Sequence, residues 1–374
     1  MTSDLVVFGE DWGRHPSSTQ HLVGRLAADT RVLWVNSIGM RRPKLTVRDM
    51  KRAAGKVFCR ARPAAGNPSP STHPANLSFV SPLVVPWPGN NLAFAVNRAL
   101  LARQIAPRLT ERGITRPILW TSLPTALPVV GQLGEKAVVY YCGDDFGALP
   151  GVDHEPVLAM EAALVEKADL VLAASEFLAA RFPASKTRFV PHGADIALFS
   201  SPVAPAADMP RDRPVAGFYG SLEWSDIELL AYAAAKLPGW QFVFIGDVKT
   251  GVTALRSFAN VTFLGPRAHH LLPGYSQHWQ ASLLPFRDCA MVRACNPLKL
   301  REYLAAGREI VTVDFPALAP YRDLVTIARD RDAFVDAIRA SAVAPDRSVE
   351  RRVRVRTETW EARAADVTSA LNAL

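Results

Sequence analysis

The sequence predicts an α/β protein with two doubly wound, Rossmann-like domains, and three observations support this fold class. Short apolar strands alternate with helical stretches in the first half, a Pro-rich break follows, and a second alternating series comes after it. Strands that alternate with helices form parallel sheets covered on both faces. At 374 residues, the chain is also long for one hydrophobic core. Two successive domains therefore fit better than one continuous sheet.

The first domain is predicted over 1–200, from short apolar runs separated by stretches with helical spacing of Leu and Ala. A helix is expected to follow the first strand, and a longer one carries Pro107, where it could kink or restart. The predicted strands are 5–8, 31–35, 77–80, 117–121, 137–141 and 170–174, and the predicted helices are 18–29, 91–112 and 155–167.

A linker is predicted over 201–214, because this stretch has four prolines and few large apolar side chains. The second domain is predicted over 215–355. A long charged amphipathic helix is expected from about residue 350 to the last residue, with Trp360 as its largest apolar side chain. The predicted strands of the second domain are 215–219, 241–245, 261–264, 281–285 and 310–313.

Composition indicates a soluble globular protein, since 49% of the residues are hydrophobic and 21% are charged. No apolar run approaches the roughly 20 residues that span a bilayer, and the first residues lack the pattern of a signal peptide. The four cysteines show no CxxC spacing, so reduced thiols are the simplest interpretation. These features predict a cytoplasmic protein.

The net charge of +8 is concentrated in one segment. Between Arg41 and Arg62, nine residues are basic and only Asp49 is acidic. Such a cluster indicates an anionic partner, with lipid, nucleic acid and phosphate as candidates. Its apolar residues among Lys and Arg suit an interfacial helix, which would make the protein peripheral at the inner face of a membrane. A solvated basic helix face is the alternative.

The stretch 296–307 carries the strongest functional signal. Pro297 opens it and Gly307 closes it, as expected for a short helix. Lys299 and Glu302 are three residues apart, so both side chains can extend from the start of the helix. A helix N-terminus with a Lys suits a diphosphate, and a Glu one turn later suits a ribose hydroxyl. An amphipathic surface helix is the alternative interpretation.

This stretch resembles the nucleotide-sugar-binding segment of GT-B glycosyltransferases, where a Glu five residues before a Gly contacts the ribose. Glu302 and Gly307 keep that spacing. Residues 168–178 and 189–199, before the linker, resemble the corresponding two stretches of family-4-like GT-B glycosyltransferases. This chain has His192 at a position where Asn is commoner in those enzymes. The resemblance implies a GT-B fold, with two Rossmann-like domains facing a cleft and a C-terminal helix, 356–374, that could cross back to the first domain.

Candidate catalytic residues follow two strands of the first domain. Asp144 and Asp145 end one strand, in a stretch that resembles the Tyr-x-x-x-Asp-Asp segment of exopolysaccharide and teichuronic-acid-type bacterial glycosyltransferases. Either carboxylate could deprotonate an acceptor hydroxyl, because a neighbouring like charge raises one pKa. Asp144 is the first candidate and Asp145 the second, and Asp11 and His15, after the first strand, are further candidates. Turn formation and helix capping are the alternative roles.

In the second domain, a strand that runs into Gly220 would expose backbone N–H groups to a phosphate. The residues expected to bind the nucleotide sugar are Gly220, Ser221, Gly246, Arg293, Pro297, Leu298, Lys299 and Glu302. The chain lacks the usual Arg/Lys pair of family-4-like enzymes, and Ala294 stands where retaining members carry a Glu. This departure favours an inverting reaction with an Asp base. Asp330 is expected to cap a helix, and no metal is expected.

Together these observations predict a glycosyltransferase that moves a sugar from a nucleoside-diphosphate sugar to a hydroxyl acceptor in cell-envelope or exopolysaccharide synthesis. The nucleotide sugar is a co-substrate, and no cofactor is expected. The expected partners are the donor, a glycan or lipid-linked acceptor and, through segment 41–62, an anionic membrane surface, but no nucleic acid. A nucleotide-sugar 2-epimerase on the same fold and a non-catalytic GT-B binding subunit are the alternatives.

Overall fold

A computed structural model describes residues 3–13, 17–42, 74–248 and 250–374. The chain divides into two compact units. Unit 1 comprises Met1–Pro191 and Arg363–Leu374, and unit 2 comprises His192–Ala362. The predicted linker, 201–214, lies within unit 2 in this division. Each unit is built on a parallel β-sheet, as the alternation of strands and helices predicts.

The described strands of unit 1 are β1 (Leu5–Phe8), β2 (Val32–Val35), β3 (Leu77–Val80), β4 (Ile118–Thr121), β5 (Ala137–Cys142), β6 (Leu170–Ala173) and β7 (Thr187–Phe189). They form a parallel sheet in the order β3-β2-β1-β4-β5-β6-β7. Strands β1, β2, β4, β5 and β6 are buried along their whole length, as is typical of a sheet covered on both faces. The first six strands confirm the prediction to within one residue at each end.

The helices of unit 1 begin at the residues that sequence signals indicate. They are α1 (Ser18–Leu26), α2 (Asn91–Glu111), α3 (His154–Lys167) and α4 (Glu176–Ala179). Polar side chains cap three of them: Ser17, Asn90 and Ser175 each accept a hydrogen bond from a backbone N–H three residues later. Helix α2 continues through Pro107 without ending there.

The strands of unit 2 are β8 (Val215–Tyr219), β9 (Gln241–Ile245), β10 (Val261–Gly265), β11 (Ala281–Leu284), β12 (Glu309–Val313) and β13 (Thr326–Ala328). They form a parallel sheet in the order β10-β9-β8-β11-β12-β13. Alternate residues of β9 enter different hydrophobic clusters: Val243 and Ile245 pack in one, and Phe242 and Phe244 in the other. The sheet is therefore buried on both faces, as a parallel sheet requires.

The helices of unit 2 are α5 (Ile196–Ser200), α6 (Ile227–Lys236), α7 (Thr253–Arg256), α8 (Pro273–Ser276), α9 (Ala290–Ala294), α10 (Leu298–Ala306), α11 (Arg331–Ser341), α12 (Ser348–Val355) and α13 (Trp360–Asn372). Helix α13 begins in unit 2, and its residues from Arg363 onward belong to unit 1. Asp330 caps α11 by accepting a hydrogen bond of 2.8 Å from the Ala333 N–H, as the sequence predicts.

The prediction of one helix from residue 350 to the last residue is wrong, because the chain breaks between α12 and α13. The backbone of the break has tertiary partners that a continuous helix could not provide. The Ala194 N–H donates to the Glu358 carbonyl at 2.9 Å, and Ala194 forms a β-bridge with Thr359. A Cβ atom on Gly193 would lie 2.6 Å from the Trp360 nitrogen, so this approach requires glycine.

Candidate functional site

The candidate site of unit 2 lies where two neighbouring strands end in glycine. Gly220 follows β8 with φ 110°, and Gly246 follows β9 with φ 135°, a region that side chains rarely adopt. The Gly220 N–H donates to the Ile245 carbonyl at 2.7 Å. A Cβ atom on Gly246 would lie 2.5 Å from the Gly220 oxygen. The order of the sheet reverses at β8, so these bare backbone turns lie at the topological switch point, where doubly wound folds bind ligands.

Helix α10 carries the predicted motif and has the predicted ends. Pro297 occupies its N-cap, and Gly307 ends it with φ 90°. Leu300, Tyr303 and Leu304 are fully buried, so the apolar face of α10 packs into the core of unit 2. No side-chain hydrogen bond caps its first turn among the described residues. The Leu300 N–H donates to the Pro297 carbonyl at 3.2 Å, and the N–H groups of Leu298 and Lys299 remain available to an anionic ligand.

Lys299 projects from this first turn toward Gly220. Its Nζ lies 4.6 Å from the centre of the Phe218 ring and 5.6 Å from that of Phe286. A Cβ atom on Gly220 would lie 2.7 Å from Lys299 Cε and 2.9 Å from Nζ, so any side chain there would displace the amine. Glycine at 220 is thus required by its φ angle, and its lack of a side chain leaves room for the Lys299 amine.

The Lys299 ammonium makes no hydrogen bond or ion pair with any residue that the structure describes. Surrounding protein atoms displace water and lower the pKa of Lys299 to about 8, although Cys295 and Glu302 partly oppose this effect. A half-buried cation that has lost water and has no hydrogen-bonded anion is incompletely satisfied. A bound phosphate oxygen would supply the missing partner.

Glu302 is buried one turn further along α10, and both of its carboxylate oxygens have protein partners. The Tyr219 hydroxyl donates to Oε2 at 2.8 Å, and His269 Nε2 lies 2.8 Å from Oε1. The hydrogen bond to Glu302 raises the pKa of His269. Each carboxylate oxygen can accept a second hydrogen bond, so these contacts orient Glu302 without exhausting its acceptor capacity.

The other predicted donor-site residues differ in their contacts. Arg293 forms a bidentate pair with Asp288, with N–O distances of 2.7 and 2.6 Å, and both side chains are exposed. Ser221 Oγ accepts a long hydrogen bond of 3.3 Å from the Glu223 N–H. Pro297 and Leu298 contribute the backbone at the start of α10. The structure thus brings Gly220, Gly246, Lys299 and Glu302 together, while the guanidinium of Arg293 is already paired with a carboxylate.

In unit 1, Asp144 follows β5, and its carboxylate makes no hydrogen bond or ion pair within the described part of the chain. Its side chain keeps access to solvent, yet neighbouring protein atoms displace enough water to raise its pKa. The negative charges of Glu10 and Asp145 raise this pKa further. An accessible, unpaired carboxylate with a raised pKa can accept a proton from a bound hydroxyl.

Asp145, the second candidate, is held in an ion-pair network. Its Oδ1 accepts hydrogen bonds from Arg181 Nη1 at 2.8 Å and from the Gly147 N–H at 3.0 Å. Arg181 also donates to Glu161 at 3.1 Å, and the Tyr140 hydroxyl donates to the other Glu161 oxygen at 2.5 Å. This network fixes Asp145 and reduces its availability as a base.

The loop after β1 is also fixed by local contacts. The Asp11 carboxylate accepts hydrogen bonds from the Ser37 N–H at 3.2 Å and from its hydroxyl at 2.7 Å. Glu10 accepts from Ser17 and, at 2.7 Å, from Gln20. His15 lies outside the described residues. Of the described candidate bases, Asp144 is therefore the one without a hydrogen-bonding partner.

Sequence reasoning did not identify three residues that shape these sites. Tyr219 and His269 orient Glu302, and Arg181 pairs with Asp145. Tyr219 is the last residue of β8, and His269 begins a short 3₁₀ helix after β10. Positions at or just after strand ends could have indicated both residues as part of the site. Arg181 gave no such signal, because its partners are 20 and 36 residues away in the sequence.

Among the described residues, no group of three or more His, Cys, Asp and Glu side chains could hold a metal ion. In the same ranges, no helix is long and apolar enough to cross a membrane.

Comparison with solved structures places both units in a known architecture. An Anabaena protein, Alr3699/HepE, solved in complex with UDP, matches with a TM-score of 0.67 and 15% identity over 99% of this chain and 100% of that one. A UDP-forming trehalose-phosphate synthase from Burkholderia xenovorans matches with a TM-score of 0.64 and 14% identity over 99% of both chains. The chain has the GT-B fold. The fold predicted from the resemblance is confirmed.

Part of this chain is also similar in sequence to a protein named as a glycosyltransferase. "Putative teichuronic acid biosynthesis glycosyltransferase TuaH" of Bacillus subtilis (strain 168) is 26% identical over 225 residues. The match covers 54% of this chain and 56% of that protein, so it spans about half the length of the relative. No family model matches the chain. The resemblance to a teichuronic-acid-type glycosyltransferase is therefore confirmed for this part of the GT-B chain.

Proposed function

We propose that this protein is a glycosyltransferase that moves a sugar from a nucleoside-diphosphate sugar to a hydroxyl of a cell-envelope or exopolysaccharide glycan. One observation carries the proposal: the unpaired ammonium of Lys299 lies against the bare backbone of Gly220, at the switch point of a Rossmann-like unit. The relative named for teichuronic acid biosynthesis supports the pathway, and the Anabaena structure with UDP supports the choice of a uridine nucleotide.

In this proposal, unit 2 binds the donor. Lys299 and the N–H groups at the start of α10 bind the diphosphate, because that point combines a cation with unfilled backbone donors. Gly220 and Gly246 allow the phosphates to approach the backbone. Glu302, oriented by Tyr219 and His269, accepts a hydrogen bond from a ribose hydroxyl with its remaining lone pairs.

Unit 1 binds the acceptor, and Asp144 is the general base. Asp144 takes the proton of the acceptor hydroxyl while the oxygen attacks the anomeric carbon. The bond from this carbon to the phosphate oxygen breaks, and the nucleoside diphosphate leaves with the electron pair. Lys299 and the start of α10 stabilise the charge that develops on the leaving group. Direct displacement of this kind inverts the anomeric configuration.

Retention is the competing stereochemical outcome. One matching structure, of trehalose-6-phosphate synthase, is described in a study of glycosyltransfer with retention. The proposal for inversion depends on Ala294, which stands where retaining relatives carry a Glu, and on the unpaired carboxylate of Asp144. Proton NMR of the first product formed from an α-configured donor distinguishes the outcomes, because inversion gives a β-linked product.

Segment 41–62 is part of the same proposal as a contact for anionic membrane lipids, which would bring the enzyme to a lipid-linked acceptor at the inner face of a membrane. Arg41 and Arg42 are described, and residues 43–62 lie outside the described residues. No nucleic-acid partner, metal or cofactor is part of the proposal.

The test is thermal unfolding of the full chain with UDP and with a panel of UDP-sugars, followed by product analysis with candidate acceptors. A ligand that binds only the folded protein raises its melting temperature. We expect stabilisation by UDP and acceptor-dependent release of UDP from one UDP-sugar. Conversion of a UDP-sugar to its 2-epimer without acceptor would support the epimerase instead. Nucleotide binding with neither reaction, across acceptors that include lipid-linked glycans, would support a binding subunit.

A further inference from the structure

Unit 1 exposes a group of large apolar side chains at one place on its surface. They lie on segment 81–88 and on the first two turns of α2. Trp87 is 47% exposed and Leu92 is 74% exposed. The members of this apolar surface are Leu83, Val85, Trp87, Leu92 and Val96. Exposed apolar residues that lie singly are ordinary, but several on one segment and on the helix to which it is hydrogen-bonded indicate an interaction site.

Hydrogen bonds to α2 fix segment 81–88 so that its apolar side chains face outward. Asn97 accepts from the Val85 N–H at 2.7 Å and donates to the Val85 carbonyl at 2.9 Å. Gln104 makes the same two contacts with Leu83, at 2.8 and 3.0 Å. With the backbone of alternate residues tied to the helix, Leu83, Val85 and Trp87 are exposed while Pro82 and Pro88 are buried. The apolar surface is therefore built by specific contacts.

Helix α2 extends the same surface. Leu92, Val96, Ala99 and Arg103 recur at intervals of four, three and four residues, so they share one side of the helix, and all four are exposed. Trp87 and Phe94 also wall a cavity of about 270 Å³, so the apolar area continues into unit 1. In the part of the chain that the structure describes, this apolar side of α2 has no covering layer.

The charge around this surface is positive. Residues 74–110 include three arginines and no Asp or Glu. Arg42 lies with its guanidinium carbon 5.3 Å from the centre of the Trp87 ring, and Arg98 and Arg103 are exposed on α2. A Trp beside Arg at the edge of an apolar patch is typical of groups that lie at the boundary between lipid headgroups and acyl chains.

We propose that the apolar surface of Leu83, Val85, Trp87, Leu92 and Val96 docks unit 1 on an anionic lipid bilayer. The apolar side chains enter the headgroup boundary, and Arg42, Arg98 and Arg103 contact lipid phosphates. The inference deepens the proposed function and rests on it only for its biological purpose, since docking would hold the enzyme beside a lipid-linked acceptor. It shares Arg42 with the proposed membrane contact of segment 41–62, but its apolar side chains lie on segment 81–88 and on α2.

The test is flotation of the full chain with vesicles of phosphatidylcholine, with and without phosphatidylglycerol. The test variant is Leu83→Ser/Trp87→Ser/Leu92→Ser. The matched control is Phe177→Ser/Phe189→Ser, because these side chains belong to the same unit and are similarly exposed, at 44% and 43%. We expect the wild type to float with anionic vesicles and the test variant to bind at least about tenfold more weakly, since three apolar side chains no longer leave water. The control should bind like the wild type.

Stabilisation by UDP, which the proposed function assigns to unit 2, serves as the folding check and should be equal in all three proteins. Failure of docking is thus distinguishable from failure of the proposed function. The proposal is overturned if the wild type does not bind anionic vesicles, or if the test variant binds as well as the wild type. It is also overturned if sedimentation velocity shows a dimer that the test variant abolishes, since a second copy would then cover the surface.

Discussion

The two units place opposite charges beside strand ends in sheets of closely similar order: Asp144 follows β5, and Lys299 of α10 lies beside Gly220 at the end of β8. In unit 1, Asp144 is an unpaired carboxylate with a raised pKa. In unit 2, Lys299 is an unpaired ammonium whose pKa is lowered to about 8. In both cases the loss of water shifts the group toward its neutral form, although the shifts have opposite signs. In the proposed function, the first of these groups accepts a proton and the second binds an anion.

The surroundings of the two groups explain how each remains unpaired. The charged neighbours that act on Asp144 are the carboxylates of Glu10 and Asp145, and Arg181 pairs with Asp145 and Glu161. Around Lys299, the neighbours are aromatic rings and the glycine backbone, which offer no carboxylate within hydrogen-bonding distance. In unit 1, the Asp144 carboxylate stays unpaired because its charged neighbours are other carboxylates. In unit 2, the Lys299 ammonium stays unpaired because aromatic rings and glycine surround it.

The largest expected effect is on turnover. We expect Asp144→Asn to lower kcat by roughly 10²- to 10⁴-fold, because the amide cannot take the acceptor proton. Stabilisation by UDP should not change, since Asp144 belongs to unit 1. The control is Asp145→Asn, which removes a charge from the Arg181 network and should affect stability more than turnover. Equal turnover in Asp144→Asn and wild type would show that Asp144 is not the base.

The next effect concerns nucleotide affinity. Lys299→Met keeps the length of the side chain and removes the charge. Loss of a charge-assisted hydrogen bond costs about 1.5–3 kcal/mol, or roughly 10- to 150-fold in the Kd for UDP. Isothermal titration calorimetry measures this change. Lys236→Met is the control, because Lys236 is an exposed lysine of unit 2 that also lies beside a ring, 5.6 Å from that of Tyr232. An unchanged Kd in Lys299→Met would exclude Lys299 from the diphosphate site.

A smaller effect is expected from pH alone. The charged form of Lys299 binds the anion, and its pKa is about 8 in the unliganded protein. The affinity for UDP should therefore fall as pH rises through 8, by up to about tenfold between pH 7 and 9. The affinity of Lys299→Met should show no such fall. A wild-type Kd that stays constant over this interval would mean that the ammonium does not contact the nucleotide.

The smallest effect concerns the orientation of Glu302. In Glu302→Gln, the pKa of His269 should fall toward its ordinary value, because the partner carboxylate is gone. A raised folded-state pKa contributes stability that is fully present below the unfolded pKa of about 6.5 and is lost as pH rises through the folded value. The variant should therefore lose this stabilisation at low pH and differ little at high pH. NMR titration of the His269 ring protons measures the shift, and an unchanged pKa would contradict the pairing.

Most of the fold could be predicted because the strands are short runs of buried apolar residues. Runs such as Leu5–Phe8 and Gln241–Ile245 can be recognised as strands from the sequence of their apolar residues. Strands β7 and β13 were missed because their side chains are partly exposed and they lack an apolar run. The break before α13 was missed because its cause is tertiary: Ala194, far away in the sequence, pairs with Thr359.

The candidate site could be predicted where the signal is local. Pro297, Lys299, Glu302 and Gly307 lie within one helix and its ends, and sequence spacing places them correctly. The choice among carboxylates could not be made this way, because it depends on partners such as Ser37 for Asp11 and Arg181 for Asp145. The assignment of all these residues to roles in transfer stays a prediction.

The C-terminal end of helix α10 depends on residues that are synthesised much later. Arg351 donates to the Gly307 carbonyl at 3.1 Å, and Arg352 donates to the Ala305 and Ala306 carbonyls, both at 3.1 Å. Until these arginines leave the ribosome, the last carbonyls of the helix that carries Lys299 lack their donors. Nucleotide added to ribosome-bound nascent chains should therefore be retained only after residue 352 has emerged, which makes nucleotide retention a late marker of folding during translation.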